Sequence, residues 1–87
     1  MSDFGEIVTI IHAIQDRDIL EDFLLGITTP KERAEFAQRL EIIKGLIAGV
    51  PQTRLAKDLG VGIATVTRGS KELAQGRFKI LRAERHE

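Results

Sequence analysis

The residues of this chain best suited to chemistry stand in one run, Ile63-Ala64-Thr65-Val66-Thr67-Arg68, with Lys71 just beyond it. The chemistry they suit is recognition of a nucleic-acid duplex, not bond-making. A threonine hydroxyl bonds a base edge or a phosphate, alanine and isoleucine methyls meet thymine methyls, and arginine pairs with guanine or phosphate. On a helix that buries Val66, the residues Ile63, Ala64, Thr65, Thr67 and Arg68 turn outward, a surface short enough to enter a major groove. No catalytic constellation competes with this reading. Cysteine is absent and the two histidines, His12 and His86, lie far apart in the sequence. A lone histidine beside an apolar stripe, as His12 is, reads as a surface or half-buried residue because no second metal-binding side chain accompanies it. Gly60-Val61-Gly62 follows a helix and lacks both the third glycine and the strand of a phosphate loop. The acids read as helix caps and solvated faces. No enzyme, no catalytic residue and no metal site is expected.

The elements that must carry this run are two short helices joined by a tight turn, within Gln52 to Leu73. Leu55, Ala56, Leu59, Val61 and Val66 fall where one helix packs across another. Ala56 is small at the crossing. Gly60 supplies the left-handed turn residue without a Cβ clash. Val61 plugs the angle between the helices. These offsets together predict a helix-turn-helix at residues 52–74. An ordinary bundle corner is the plainer alternative, but it has no need of the small residue, the glycine and the outward polar face at once.

Eighty-seven residues predict one domain, 1–87, with a core small enough that a dimer sharing one core is expected. Composition is that of a soluble globular protein, without Trp or Tyr. The absence of cysteine fits a reducing compartment. MSDFGEIV has no basic stretch ahead of an apolar run and no apolar run approaches a membrane span, so a cytoplasmic protein is expected. Net charge is zero, but it is unevenly spread. Residues 1–51 hold five Lys/Arg against nine Asp/Glu, whereas residues 52–82 hold seven against two. Positive charge therefore gathers on the helix-turn-helix and just past it, where phosphates would lie. A solvated basic face explains the same charge without a partner.

In chain order, Phe4, Ile7, Val8, Ile11 and Ile14 form one apolar stripe and predict a helix over 4–15. A second helix spans 16–27, with Asp16 or Asp18 as its cap. Ile19, Leu20, Phe23, Leu24 and Leu25 make it apolar on more than one face, which again points to a partner chain. Thr29-Pro30-Lys31-Glu32 starts a third helix with a capping box and runs to about Ala48. Phe36, Leu40, Ile43 and Ile47 form its stripe, widened by Ala37, Ile42 and Leu46. Gly45 either admits a close neighbour or is merely tolerated; Gly49 ends the helix. Pro51 opens the next one. Gln75-Gly76 breaks the chain, and a last helix over 77–86 is expected to turn Phe78 and Leu81 inward. Residues 1–49 are read as the dimerisation helices. The sum is an all-α chain of six helices.

The stretch TTPKERAEFAQRLEIIKGLIAG followed by QTRLAKDLGVGIATVTRGSKEL resembles the bacterial Trp repressor family. The matching residues are Thr29-Pro30, Glu32-Arg33, Arg39, Gly49, Gln52, Leu55, Leu59-Gly60 and the run Gly62 to Ser70. The resemblance covers residues 27–75, with a one-residue shortening near Val50–Pro51. It implies a six-helix fold, an intertwined homodimer, and a helix-turn-helix offered by each subunit to a palindromic operator of amino-acid biosynthesis genes. It implies a repressor with a small-molecule corepressor, L-tryptophan in the tryptophan-responsive members. The DNA-facing set would be Gln52, Thr53, Ala56, Gly62, Ile63, Ala64, Thr65, Thr67, Arg68 and Lys71. In the ligand set, Arg39 and Arg68 would sandwich an indole, Gly69 would leave room for it, and Glu72 would stand near it. Ile27, Thr28 and Thr29 of the partner would close the pocket.

A guanidinium stacks on an indole and pairs with a carboxylate, so the residue types agree. Arg68 serves phosphates equally well, and Arg39 could instead pair with Glu35 one turn earlier. Three departures separate this chain from the tryptophan-responsive members. Glu72 replaces a small hydroxyl residue, Thr28 and Gly26 replace bulky apolar ones, and Thr53 stands where an arginine reads guanine. The AQRLE-type third helix at Ala37–Glu41 resembles members with no known ligand, which implies a regulator that does not answer to tryptophan. A helical protein–protein adaptor using the same corner is the remaining alternative.

Overall fold

A computed structural model describes residues 1–83. Among the described residues there are six helices and no strand, as the periodicities predict: α1 (Phe4–Ala13), α2 (Arg17–Ile27), α3 (Pro30–Ile47), α4 (Gln52–Leu59), α5 (Ile63–Ala74) and α6 (Lys79–Ala83). The backbone divides into two compact units, Met1–Arg33 and the chain from Ala34 onward.

Local polar chemistry sets the helix ends of the first unit. Asp3 caps α1, its Oδ1 accepting from the Glu6 amide at 2.9 Å. Of the two candidate caps for α2, Asp16 takes the role, accepting from the amides of Asp18 at 2.8 Å and Ile19 at 3.1 Å. The capping box ahead of α3 is complete. Glu32 N donates to Thr29 Oγ1 at 3.1 Å, and Thr29 N donates to Glu32 Oε1 at 2.9 Å. Arg33 Nη1 donates to the Thr28 carbonyl at 2.9 Å and the Leu25 carbonyl at 3.3 Å, placing a cation on the otherwise open carbonyls at the end of α2. No residue of α1 or α2 is buried. Of the α1 stripe, Ile7, Ile11 and Ile14 are half-buried while Phe4 and Val8 stay exposed. On α2, Ile19, Leu24, Leu25 and Ile27 are exposed.

The second unit holds the core. Ile42, Leu55 and Val66 form its centre, with Leu46, Val50, Ala56, Leu59 and Val61 packed around them. Val66 is 0% exposed, as its inward place on α5 predicts. The stripe on α3 is covered only in its C-terminal half. Ile42 and Ile43 are buried, whereas Phe36 and Leu40 are 49% and 45% exposed. The cause is where the neighbours meet α3. Leu55 of α4 lies against Gly45, and Gly69 of α5 lies against Ile42, Ile43 and Leu46. A Cβ on Gly45 would collide with the Leu55 side chain, so this glycine serves a close approach.

The last helix begins two residues later than its expected start at Arg77, and its expected end near residue 86 lies outside the described residues. The Gln75-Gly76 break is real: Gly76 has φ +92. Phe78 is not an inward anchor of α6. It precedes the helix and remains 38% exposed.

Candidate nucleic-acid interface and adjoining cleft

The helix-turn-helix is built from the residues that predicted it. Helix α4 ends on Gly60 in the left-handed region, φ 67 and ψ 34. Val61 N then donates back to the Ala56 carbonyl at 3.0 Å, the long-reach bond that closes a helix C-terminus after a left-handed residue. Val61 is half-buried against the core, and Gly62 caps α5 in extended conformation. Buried Leu55 and Val66 hold the two helices to the core. Thr67 Oγ1 donates to Gln52 Oε1 at 2.9 Å, tying α5 to the start of α4 by a side-chain bond. That bond engages the Gln52 carbonyl oxygen and leaves its amide N–H groups as donors.

The proposed reading surface divides by accessibility. Thr53, Gly62, Ile63, Ala64, Thr65, Arg68 and Lys71 are exposed, with Ile63 at 47%. Gln52 and Thr67 are half-buried and bonded to each other. Ala56 is half-buried against the core, so its small size has a packing reason of its own. Arg54 pairs with Asp58 at 3.4 Å. No ion pair engages Lys57, Arg68 or Lys71 among the described residues.

Beside this surface lies a cleft of about 590 Å³, lined by Glu35, Gln38, Arg39, Ile42 and Ile43 of α3, by Ala64, Thr65, Arg68, Gly69 and Glu72 of α5, and by Phe78. Four residues of the expected ligand set, Arg39, Arg68, Gly69 and Glu72, therefore share one cavity. Ile27, Thr28 and Thr29 belong to the first unit, where the Thr28 hydroxyl and amide both donate to the Leu24 carbonyl. The pairing of Arg39 with Glu35 that helical spacing offers does not form. The Arg39 guanidinium instead stands 5.8 Å from the centroid of the Phe36 ring. Glu72 is paired, its Oε1 lying 3.2 Å from Arg77 Nε. Gly69 combines two tasks. It lines the cleft, and a Cβ there would press on Ile43 Cδ1 at 3.1 Å and Ile42 Cγ2 at 3.3 Å.

Gln38, Ile42, Ile43 and Phe78 line the cleft beyond the residues expected there, and Glu35 lines it although spacing offers it only as a partner for Arg39. A signal for most of them was present. Residues 35, 38, 39 and 42 recur at helical spacing on α3, as do 65, 68, 69 and 72 on α5. They form two facing stripes of one groove. Phe78 had no such signal, because its position depends on a backbone φ of +63, which a bulky residue rarely adopts. That conformation costs of order 1 kcal/mol.

A family model described as Trp repressor protein matches residues 2–82. The chain belongs to the Trp repressor family. Among its relatives, the Trp operon repressor homolog of Vibrio campbellii is 40% identical over 72 residues, covering 82% of this chain and 72% of the relative. That of Vibrio parahaemolyticus is 40% identical over 72 residues, covering 82% and 70%. That of Aliivibrio fischeri is 36% identical over 73 residues, covering 83% and 68%. Membership makes transcriptional repression the function class, and the helix-turn-helix of α4 and α5 is the element of the fold that fits it. No helix among the described residues is long and apolar enough to cross a membrane.

Proposed function

We propose that this protein is a sequence-specific, DNA-binding repressor that acts in the cytoplasm as a homodimer and answers to a small effector held between α3 and α5. The observation that carries the reading is the outer side of α5. Ile63, Ala64, Thr65 and Arg68 stand exposed on a helix whose inner side is fixed by buried Val66. Short side chains, with one guanidinium that no ion pair engages among the described residues, suit base edges and phosphates. Dimerisation is supported by α1 and α2, whose exposed Phe4, Val8, Ile19 and Leu25 leave the first unit without a buried residue. The effector reading rests on shared residues. Ala64, Thr65 and Arg68 belong both to the reading surface and to the cleft, so a bound molecule would touch the groups that read DNA. L-tryptophan is the first effector to test, since the relatives are named as Trp operon repressor homologs. The genes controlled are then those of amino-acid biosynthesis.

Selection of bound duplexes from a random pool, with and without L-tryptophan, tests the whole reading at once. Enriched sites should be palindromic, with half-sites about one DNA turn apart. Affinity should fall steeply with salt, because phosphate contacts release counterions. A dimer indifferent to duplex DNA at low salt would refute the reading and favour a protein–protein adaptor.

A further inference from the structure

We propose that Thr67 is a positioning residue of the helix-turn-helix: its hydroxyl does not bond the duplex but holds the Gln52 side chain, so that the Gln52 amide donates to one backbone phosphate of each half-site. The proposal rests on the reading of the helix-turn-helix as a DNA-binding element.

The first observation is where the hydroxyl proton goes. A threonine in a helix or at its end commonly donates to the carbonyl four residues back. Thr9 does so to Gly5, and Thr28 to Leu24. Thr67 instead donates across the corner to Gln52 Oε1 at 2.9 Å, a bond between side chains fifteen residues apart. A hydroxyl has one proton to give. Spent on Gln52, it leaves Thr67 with lone pairs only, and a phosphate oxygen offers nothing for them to accept. Thr67 is also half-buried, one residue past fully enclosed Val66, whereas Thr65 is exposed.

The second observation is what the bond does to Gln52. Its carbonyl oxygen is anchored to α5, and the two N–H donors of its amide are thereby aimed. Gln52 is the first residue of α4, and the first helix of such a corner crosses the backbone of the duplex. The first turn of α4 holds no acid, and no side chain caps it from Pro51. An amide preset there meets a phosphate with its ordering already done, which lowers the cost of the contact.

The test is fluorescence anisotropy on the full chain. The probes are the tightest duplex recovered from a random pool and copies of it in which one phosphate at a time is a neutral methylphosphonate. Gln52→Ala should bind the unmodified duplex at least about tenfold more weakly, the worth of a hydrogen bond to a charged acceptor. It should also become indifferent to a methylphosphonate that weakens the native protein. Thr67→Val keeps the branched shape and loses the hydroxyl. It should bind about two- to tenfold more weakly, the cost of ordering one long side chain, and lose sensitivity at that same phosphate. Thr67→Ala, which places no extra methyl against Gln52, should behave alike, and Thr67→Ser should match the native protein within about twofold. Thr67→Val combined with Gln52→Ala should bind as Gln52→Ala alone does, because the two act as one unit. A bond that only braced the corner would weaken binding and leave the native pattern of phosphate sensitivity intact. If the native protein binds no duplex at low salt, the DNA-binding reading and this inference fall together. If it binds, but Thr67→Val keeps the native pattern or loses a different phosphate from Gln52→Ala, the DNA-binding reading stands and this inference is overturned. A Gln52→Ala protein with the native pattern also overturns it.

Discussion

Replacing Gly45 by alanine separates two effects that usually run together. Alanine is the better helix former by about 1 kcal/mol in a helix interior. Gly45 lies in the last turn of α3, where up to that full gain is available, so propensity alone predicts a more stable protein. The structure predicts the reverse. The added Cβ would collide with Leu55, a core residue only 6% exposed and enclosed by Ile42 and Val66. Forcing an extra methyl into a packed site costs about 1–3 kcal/mol. Taking the middle of that range, the net loss is about 1 kcal/mol. Gly26→Ala serves as the matched control, because a Cβ there meets nothing within 4 Å. It should keep a propensity gain of up to about 1 kcal/mol. Each 1 kcal/mol shifts melting by roughly 4–8 °C in a domain of this size. Thermal denaturation followed by circular dichroism, at one fixed protein concentration, should therefore place Gly45→Ala below the native protein and Gly26→Ala at or above it. The concentration must be fixed because association shifts apparent stability. Since Leu55 seats the first helix of the reading head, Gly45→Ala should also weaken duplex binding. A Gly45→Ala protein that melts with or above the Gly26→Ala protein would refute the argument, for Leu55 would then yield without cost.

Arg68→Ala should weaken duplex binding and flatten its salt dependence by about one counterion's worth of slope, measured by fluorescence anisotropy across a salt series. An unaltered slope would remove Arg68 from the phosphate contacts. Analytical ultracentrifugation at micromolar concentration should show a dimer, and replacing exposed Ile19 and Leu25 by lysine should dissociate it; a native chain sedimenting as a monomer would contradict the shared core. Thr29→Ala removes one acceptor of the capping box and should cost about 0.5–2 kcal/mol in urea unfolding, whereas Thr29→Ser should be nearly neutral.

The elements of this protein were legible because their causes are local. Asp16, Thr29 with Glu32, Gly60 and Gly76 act within a few residues of themselves, so each helix end they set could be read from spacing. The helix-turn-helix was legible for the same reason. Its turn needs a left-handed residue, a small one and an apolar plug at fixed offsets, and Gly60, Ala56 and Val61 meet those needs. The class of the chain followed from the same run, Gly62 to Ser70, and the family match bears it out.

What the spacing left open is decided by distance between helices. The apolar stripe on α3 gives no hint that Ile42 and Ile43 are buried while Phe36 and Leu40 are not, because burial depends on where Leu55 and Gly69 come to rest. The same holds for charge. Arg39 had Glu35 within helical reach, yet it lies over Phe36, and Glu72 is held by an arginine that no periodicity links to it. The cleft is a product of two helices meeting, and its aromatic wall is a product of one backbone angle at Phe78. Sequence alone determined helices α1 to α5, the caps of α2 and α3, and which side of α5 faces away from the core. Only the packing of α3, α4 and α5 decided which residues share the cleft, since a groove exists nowhere until two surfaces face each other.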